Sequence, residues 1–153
     1  MKLTTRIGAA CALALTLAAG IAAYGPDARA QTDVIEQRQD GFQAIRKQLG
    51  AVKSTVESGG PADAVVAPAE AIAAYAARIP GLFPQGSETG GDTKALATVW
   101  SDRTGFEAHA SDLETKALAL AEAGRSGDMA AVGAAFGAVG KSCGACHQDY
   151  RGK

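Results

Sequence analysis

The sequence predicts an all-α protein folded as an antiparallel four-helix bundle, and three observations lead to this prediction. Alanine, the strongest helix former, occupies 25 positions within residues 31–153. Clusters of β-branched residues between hairpin turns, which mark a sheet, are missing from the sequence. Glycine- and proline-containing stretches interrupt the chain at 58–63, 79–92 and 123–128. Four amphipathic segments with such connections are typical of an antiparallel bundle.

Residues 1–30 are predicted to be a secretory signal peptide that does not belong to the bundle. A basic start and a long apolar run precede the A-x-A pattern at positions 28–30, which signal peptidase cuts. The alternative is an uncleaved membrane anchor, because the run approaches the ~20 apolar residues that span a bilayer. The cleavage pattern favours a mature domain of residues 31–153 that is exported to the periplasm and leaves the membrane.

The charge of the mature segment limits its partners. It carries 12 basic and 15 acidic side chains, a formal charge of −3. No basic stripe is present to neutralise phosphates, so nucleic acid is excluded as a partner.

The four segments each carry apolar residues three and four positions apart, so each helix is predicted to turn one face to the core. Pro68 is expected at the first position of the second helix, and Asp33, Asp92 and Asp128 are expected as caps or first-turn acids. The four stripes are Val34, Ile35, Phe42, Ile45, Leu49, Val52 and Val56; Val65, Val66, Ala69, Ile72, Ala76 and Ile79; Leu96, Val99, Trp100, Phe106, Leu113 and Leu120; and Met129, Val132, Phe136, Val139, Cys143, Cys146, His147 and Tyr150.

The last segment contains CGACH, the C-x-x-C-H pattern that attaches c-type haem. On a helix, Cys143 and His147 lie one turn apart on one face, with Cys146 beside them. The two thiols can therefore form thioethers with the haem vinyl groups while His147 reaches the iron from the same side. The sequence thus predicts one haem c per chain, attached through Cys143 and Cys146 and ligated by His147.

Three other interpretations of the motif are weaker. A thioredoxin-like redox pair would need a βαβ setting. Zinc bound by Cys143, Cys146, His147 and His109 would need a spacing that no common zinc module has. A chance match in a plain helical protein is disfavoured by the export that haem c attachment also requires.

The position of the motif limits the second iron ligand. Only residues 148–153 follow, and Met129, the one methionine of the mature segment, precedes His147 by 18 residues. At ~1.5 Å per residue this is about 27 Å along the same helix, so Met129 cannot reach the iron. His109 is expected to be a surface or seam histidine. The iron is therefore expected to be five-coordinate and high-spin.

Arg38 interrupts the apolar stripe of the first helix. Its charge needs a partner if it is buried, and a haem propionate would provide one. The alternative is an arginine whose stem packs while its head reaches solvent. Phe42 lies one turn further along the same face, either as an ordinary core residue or as a lid over the open side of the iron.

Four stretches of the chain form a recognisable set: IEQRQDGF in the first helix, LFPQGS in the long loop, VWSDRTGF in the third helix and CGACHQDYR in the last. With them the chain resembles the cytochrome c′ family, exported four-helix-bundle proteins with a C-terminal C-x-x-C-H. The similarity covers essentially the whole mature segment.

The resemblance implies roles for several residues. The residue four positions after the first-helix arginine, here Phe42, covers the distal face of the iron; a methionine there permits a low-spin haem, and other residues usually leave it five-coordinate. An arginine four residues after the haem histidine, here Arg151, lies close to the proximal face. Trp100 and Phe106 match aromatic positions of the family, and their main expected role is to pack in the core. Dimers through the first two helices are common in the family.

Three functions are consistent with the sequence. The leading hypothesis is a haem protein that binds nitric oxide and carbon monoxide and can also transfer electrons to a redox partner protein. The alternative is a low-spin electron carrier with no gas-binding role. An enzyme is disfavoured, because Phe42 supplies no acid–base group on the distal side.

Overall fold

The computed structural model describes residues 26–153, which form a bundle of four main helices. The order is α1 (Pro26–Ser58), α2 (Val66–Ala76), the single turn α3 (Thr98–Ser101), α4 (Arg103–Ser126) and α5 (Met129–Tyr150). Two 3₁₀ turns, Ala62–Val65 and Pro80–Leu82, flank α2. The predicted all-α four-helix architecture is confirmed. The predicted signal peptide lies almost entirely outside the described residues.

The four long helices pack in a closed ring. α1 contacts α2, α2 contacts α4, α4 contacts α5, and α5 returns to α1. The inward faces are apolar, and their most deeply buried side chains include Val52, Ile72, Leu120, Val132 and Val139. Many other inward positions are alanine, so the helices approach closely and the core holds little volume of its own.

The ends of α4 and α5 are set by two aspartates. Asp128 caps α5 as predicted, and its carboxylate accepts from the N–H groups of Ala130 and Ala131 at 2.8 and 3.2 Å. Gly127 precedes it with φ 78°, a left-handed conformation that ends α4. Asp102 caps α4 by accepting from the N–H of Gly105 at 3.2 Å. The sequence had indicated one continuous third helix here, because the apolar spacing runs through this break.

Three local expectations are wrong. Asp33 lies inside α1, and Asp92 lies in the loop before α3, so neither caps a helix. Pro68 is the third residue of α2 and not the first. Its missing N–H is tolerated because the first turn of a helix has no intrahelical acceptors for those groups.

α5 is the one helix within residues 26–153 whose length and hydropathy would suit a membrane span. It packs along α4 and completes the bundle against α1. Its C-terminal turns carry C-x-x-C-H and border a cleft, which accounts for an apolar face that protein atoms leave partly uncovered.

Candidate functional site

A cleft of about 610 Å³ opens between α1, α4, α5 and the loop that precedes α3. Its volume falls within the roughly 300–1,000 Å³ that is usual for small-molecule and cofactor sites. All six residues that the sequence singled out line it, namely Arg38, Phe42, Cys143, Cys146, His147 and Arg151. The cleft is also lined by residues that the sequence did not predict there, including Arg46, Phe83, Thr93, Lys94, His109 and Ser142.

The two cysteines of the cleft are free and half-buried. Burial is the main cause that raises the pKa of the Cys143 thiol, and it raises that of Cys146 to about 11. No strand is assigned within residues 26–153, so the βαβ setting that a thioredoxin-like pair needs is missing from this part of the chain. Within residues 26–153 no group of three or more potential metal ligands is gathered to hold an ion. The site therefore fits neither the zinc nor the thioredoxin-like interpretation.

His147 lies in the last turns of α5 and keeps access to solvent at the edge of the cleft. Partial desolvation, and after it the positive charge of Arg151, lower the pKa of His147. Both effects favour the neutral imidazole, which is the form that binds iron.

The charge of the cleft matches a dianionic group. Four cationic side chains and two carboxylates line the cleft, which leaves a surplus of two positive charges when the histidines are left out of the count. The cations are Arg38, Arg46, Lys94 and Arg151, and the carboxylates are Asp40 and Asp92. Haem carries two propionates, which this surplus would balance. Ser142 adds a buried Oγ that has no hydrogen-bond partner among the described residues. A buried hydroxyl of this kind usually has a partner, so a bound polar group or water suits this wall. The thiols, the imidazole and the charge together fit haem c.

Arg38 is buried, with 2% of its surface exposed, so its head does not reach solvent. Its Nη2 donates to the Ser87 carbonyl at 2.9 Å and to Thr93 Oγ1 at 2.7 Å, and its Nη1 donates to Ser87 Oγ at 3.0 Å. The guanidinium also lies 4.5 Å from the centre of the Phe83 ring. Arg38 therefore fastens the long loop to α1, a role that the sequence did not indicate, and its predicted contact with a propionate stays a prediction.

A second arginine and a tryptophan hold the same loop from α3 and α4. Arg103 donates to the carbonyls of Phe83 and Pro80 at 3.0 and 2.6 Å. Trp100 Nε1 donates to the Pro84 carbonyl at 3.0 Å. The stretch LFPQGS is thus held by side chains from three helices, and Phe83 is fixed against the cleft.

Aromatic rings form a continuous wall from α1 to the end of α5. Neighbouring centroids lie 5.0–6.5 Å apart, and most pairs meet edge-on, an arrangement that adds to simple burial. In order the rings are Tyr75, Phe42, Phe83, Phe106, Tyr150 and His109. Phe106 is buried as expected for a core residue, and it also lines the cleft.

The end of α5 is tied to the loop before α3. The Leu96 N–H donates to the Tyr150 carbonyl at 3.0 Å, and the Gly152 N–H donates to the Lys94 carbonyl at 2.7 Å. Between them Arg151 has an extended backbone and pairs with Ala95. This pairing ends the helix three residues after His147 and holds the arginine at the cleft.

Tyr150 fixes the same end of α5 to the start of α4. Its hydroxyl donates to Asp102 Oδ2 at 2.6 Å. This hydrogen bond is the first cause that raises the pKa of Tyr150 to about 12 and lowers that of Asp102. His109 lies beside them, with its ring 5.5 Å from Tyr150 and its Nε2 3.8 Å from the carboxylate of Asp149. Its half-buried position agrees with the predicted seam histidine.

Comparison with known proteins points to one family. The family model described as Cytochrome C' matches residues 33–151. A cytochrome c′ of Rhodopseudomonas palustris is 37% identical over 150 residues, which cover 92% of this chain and 97% of that protein. The crystal structure of cytochrome c′ from Thermochromatium tepidum superimposes with a TM-score of 0.75 at 34% identity, covering 80% of this chain and 97% of that one. A nitric oxide complex of a mutant cytochrome c prime from Alcaligenes xylosoxidans gives a TM-score of 0.71 at 30% identity, over 80% and 97% of the two chains.

Proposed function

This chain belongs to the cytochrome c′ family, and from that premise we propose that it is a periplasmic haem c protein whose five-coordinate iron binds nitric oxide and carbon monoxide. The observation that carries the proposal is the composition of the two sides of one cleft. The α5 side presents Cys143, Cys146 and His147, while the α1 side presents the Phe42 ring. One haem is held by the first side, and the second supplies no ligand.

The chemistry divides between the bound group and the chain. Haem supplies an iron that takes a diatomic gas on its open side and exchanges one electron. Cys143 and Cys146 would hold the group covalently, and His147 would provide its one protein ligand in the neutral form that desolvation and, after it, Arg151 favour. Arg38 and the other cations of the cleft balance the propionates.

Phe42 determines which ligands suit the open side. Its ring offers no hydrogen bond to a polar ligand, which favours the neutral gases nitric oxide and carbon monoxide over dioxygen. Two solved relatives support the binding of these gases, because one variant from Alcaligenes xylosoxidans is a nitric oxide complex and another from the same organism has carbon monoxide bound. The ring also has to move before a gas can enter, since protein interiors are close-packed.

Two other functions are less well supported. A low-spin electron carrier would need a sixth ligand, and Met129 packs against the core on α5 without lining the cleft. A peroxidase or reductase would need an acid–base group beside Phe42. We therefore propose gas binding with one-electron transfer to a redox partner protein, and no enzymatic turnover.

The α1–α2 face is the surface on which a second copy would pack. A shallow groove of about 260 Å³ runs along it, lined partly by the small residues Gly41, Ala44, Ala71 and Ala74. A cytochrome c′ that is 31% identical to this chain is described as having ligand-controlled dimer dissociation. The homodimer of this chain is part of the proposal.

The absorption spectrum of the reduced holoprotein, recorded with and without carbon monoxide, tests the function. We expect a high-spin spectrum that changes to that of a six-coordinate carbon monoxide complex, and haem that stays with the polypeptide on a denaturing gel. Haem lost to acid–acetone extraction would contradict covalent attachment. A spectrum unchanged by carbon monoxide would contradict gas binding.

A further inference from the structure

Tyr75 of α2 lies between Phe42 and the outer face of the bundle. Its ring meets Phe42 edge-on, with centroids 5.4 Å apart, and its hydroxyl donates to the Arg38 carbonyl at 2.8 Å. In an α-helix the carbonyl of residue 38 also accepts the N–H of residue 42. Tyr75 is therefore anchored to the turn of α1 that carries Phe42. Burial raises the pKa of Tyr75 to about 12, so the hydroxyl remains a donor at neutral pH.

Gly41 leaves the space against α1 that the Tyr75 ring occupies. A Cβ at residue 41 would collide with the ring and hydroxyl of Tyr75. The glycine therefore serves a close approach of the α2 side chain to the α1 backbone. The ring lies against α1 on one side and against Phe42 on another.

The aromatic neighbours of Phe42 differ in their freedom to move. Phe83, 6.5 Å away, is buried and is held by the Arg38 guanidinium and by Phe106. Tyr75 instead borders the shallow groove between α1 and α2. Of these two rings, Tyr75 is the one that the bundle itself does not enclose, and in the proposed dimer its groove would face the second copy.

From this arrangement we infer that Tyr75 is a positioning residue that sets how readily Phe42 yields to an entering gas. Phe42 moves toward Tyr75, and the hydrogen bond to the Arg38 carbonyl resists that movement. The inference rests on the proposed gas-binding role of Phe42 and adds the residue that controls it from outside the cleft.

The test measures carbon monoxide association in the reduced holoprotein with Tyr75→Phe, which keeps the ring and removes its anchor. We expect association about two- to tenfold faster, the fold-change that corresponds to one net hydrogen bond. The same substitution is then made in Phe42→Ala protein as the matched control. There it should leave the association rate unchanged, because Tyr75 acts only through the Phe42 ring. Thermal unfolding of all four proteins separates this effect from a general loss of stability, which would be the same in both backgrounds.

The outcomes separate the two proposals. If Phe42→Ala accelerates association and Tyr75→Phe does not, the role of Tyr75 is wrong while that of Phe42 stands. An equal acceleration by Tyr75→Phe in both backgrounds also overturns it, since Tyr75 would then act without Phe42. If Phe42→Ala itself leaves the rate unchanged, the gating role of Phe42 is wrong and the inference about Tyr75 falls with it.

Discussion

The two walls of the cleft differ in what their polar groups are bound to. On the α5 wall both thiols are free, and Ser142 Oγ has no partner among the described residues. On the α1 wall Arg38 is already bound to Ser87 and Thr93 of the long loop, and one turn further on the Phe42 ring lines the cleft beside Gln43 and Ile45. The α5 wall is thus suited to be completed by a cofactor, while Arg38 on the α1 wall already has hydrogen-bond partners within the protein and contributes its charge to the cleft. A site built in this way holds a group firmly from one side and leaves its other side open.

The largest effect is expected from removing the reactive groups of the α5 wall. With Cys143→Ala and Cys146→Ala together, the protein should lose all covalent haem, because no other cysteine of the mature segment can form a thioether. Haem staining of a denaturing gel measures this. Cys11 lies in the predicted signal peptide, so staining that survives the double substitution would show that attachment does not depend on the motif.

The next effect concerns the α1 wall. Arg38→Leu removes charge-assisted hydrogen bonds to Ser87 and Thr93, and it leaves buried acceptors unpaired. We expect the free energy of unfolding of the holoprotein to fall by about 2–4 kcal/mol, measured in urea. Arg125→Leu is the matched control, since the ion pairs of Arg125 with Glu70 and Glu122 are exposed and worth at most about 1 kcal/mol. Equal losses in the two variants would contradict the role of Arg38 in holding the loop.

Substitution of Phe42 on the α1 wall is expected to have a smaller effect, on carbon monoxide binding. In the unsubstituted protein, displacing the Phe42 ring is expected to cost an entering gas ~1–3 kcal/mol, the usual range for overpacking. Phe42→Ala removes the ring and therefore this cost. Carbon monoxide should bind about one to two decades more tightly and associate faster. Flash photolysis and equilibrium titration measure both quantities. The same affinity and rate in the variant, with the haem still five-coordinate, would show that Phe42 is not the gate.

The smallest effect tests the contact that joins the α5 wall to α4. The hydrogen bond to Asp102 raises the pKa of Tyr150 to about 12 from 10.0. A pKa raised in the folded state gives stability that is present below pH 10 and is lost as pH rises toward 12. Tyr150→Phe should therefore show a weaker fall in unfolding free energy between pH 9 and 11.5 than the unsubstituted protein. A residual fall is expected from Tyr75, whose pKa is raised to about 12 as well. Identical pH profiles for the two proteins would contradict the Tyr150–Asp102 linkage.

The sequence and the structure agree best where the signal is local. Helical spacing and the C-x-x-C-H motif depend on residues close in the chain, and they predicted the bundle and placed the six expected residues in one cleft. The partners of Arg38 lie 44–55 residues away in sequence, so no local pattern could indicate them. The break at Asp102 was missed because the apolar spacing continues across it. Tyr75 was overlooked because a lone tyrosine among alanines gives no sign of the helix it will contact.

The coordination of the ferric iron tests the central claim most directly. Electron paramagnetic resonance of the purified holoprotein at neutral pH distinguishes a high-spin from a low-spin haem. If the α1 wall supplies no ligand, the spectrum should be that of high-spin iron with His147 as its one protein ligand. A predominantly low-spin spectrum would contradict the account, because it would mean that a strong sixth ligand occupies the side that Phe42 is proposed to cover.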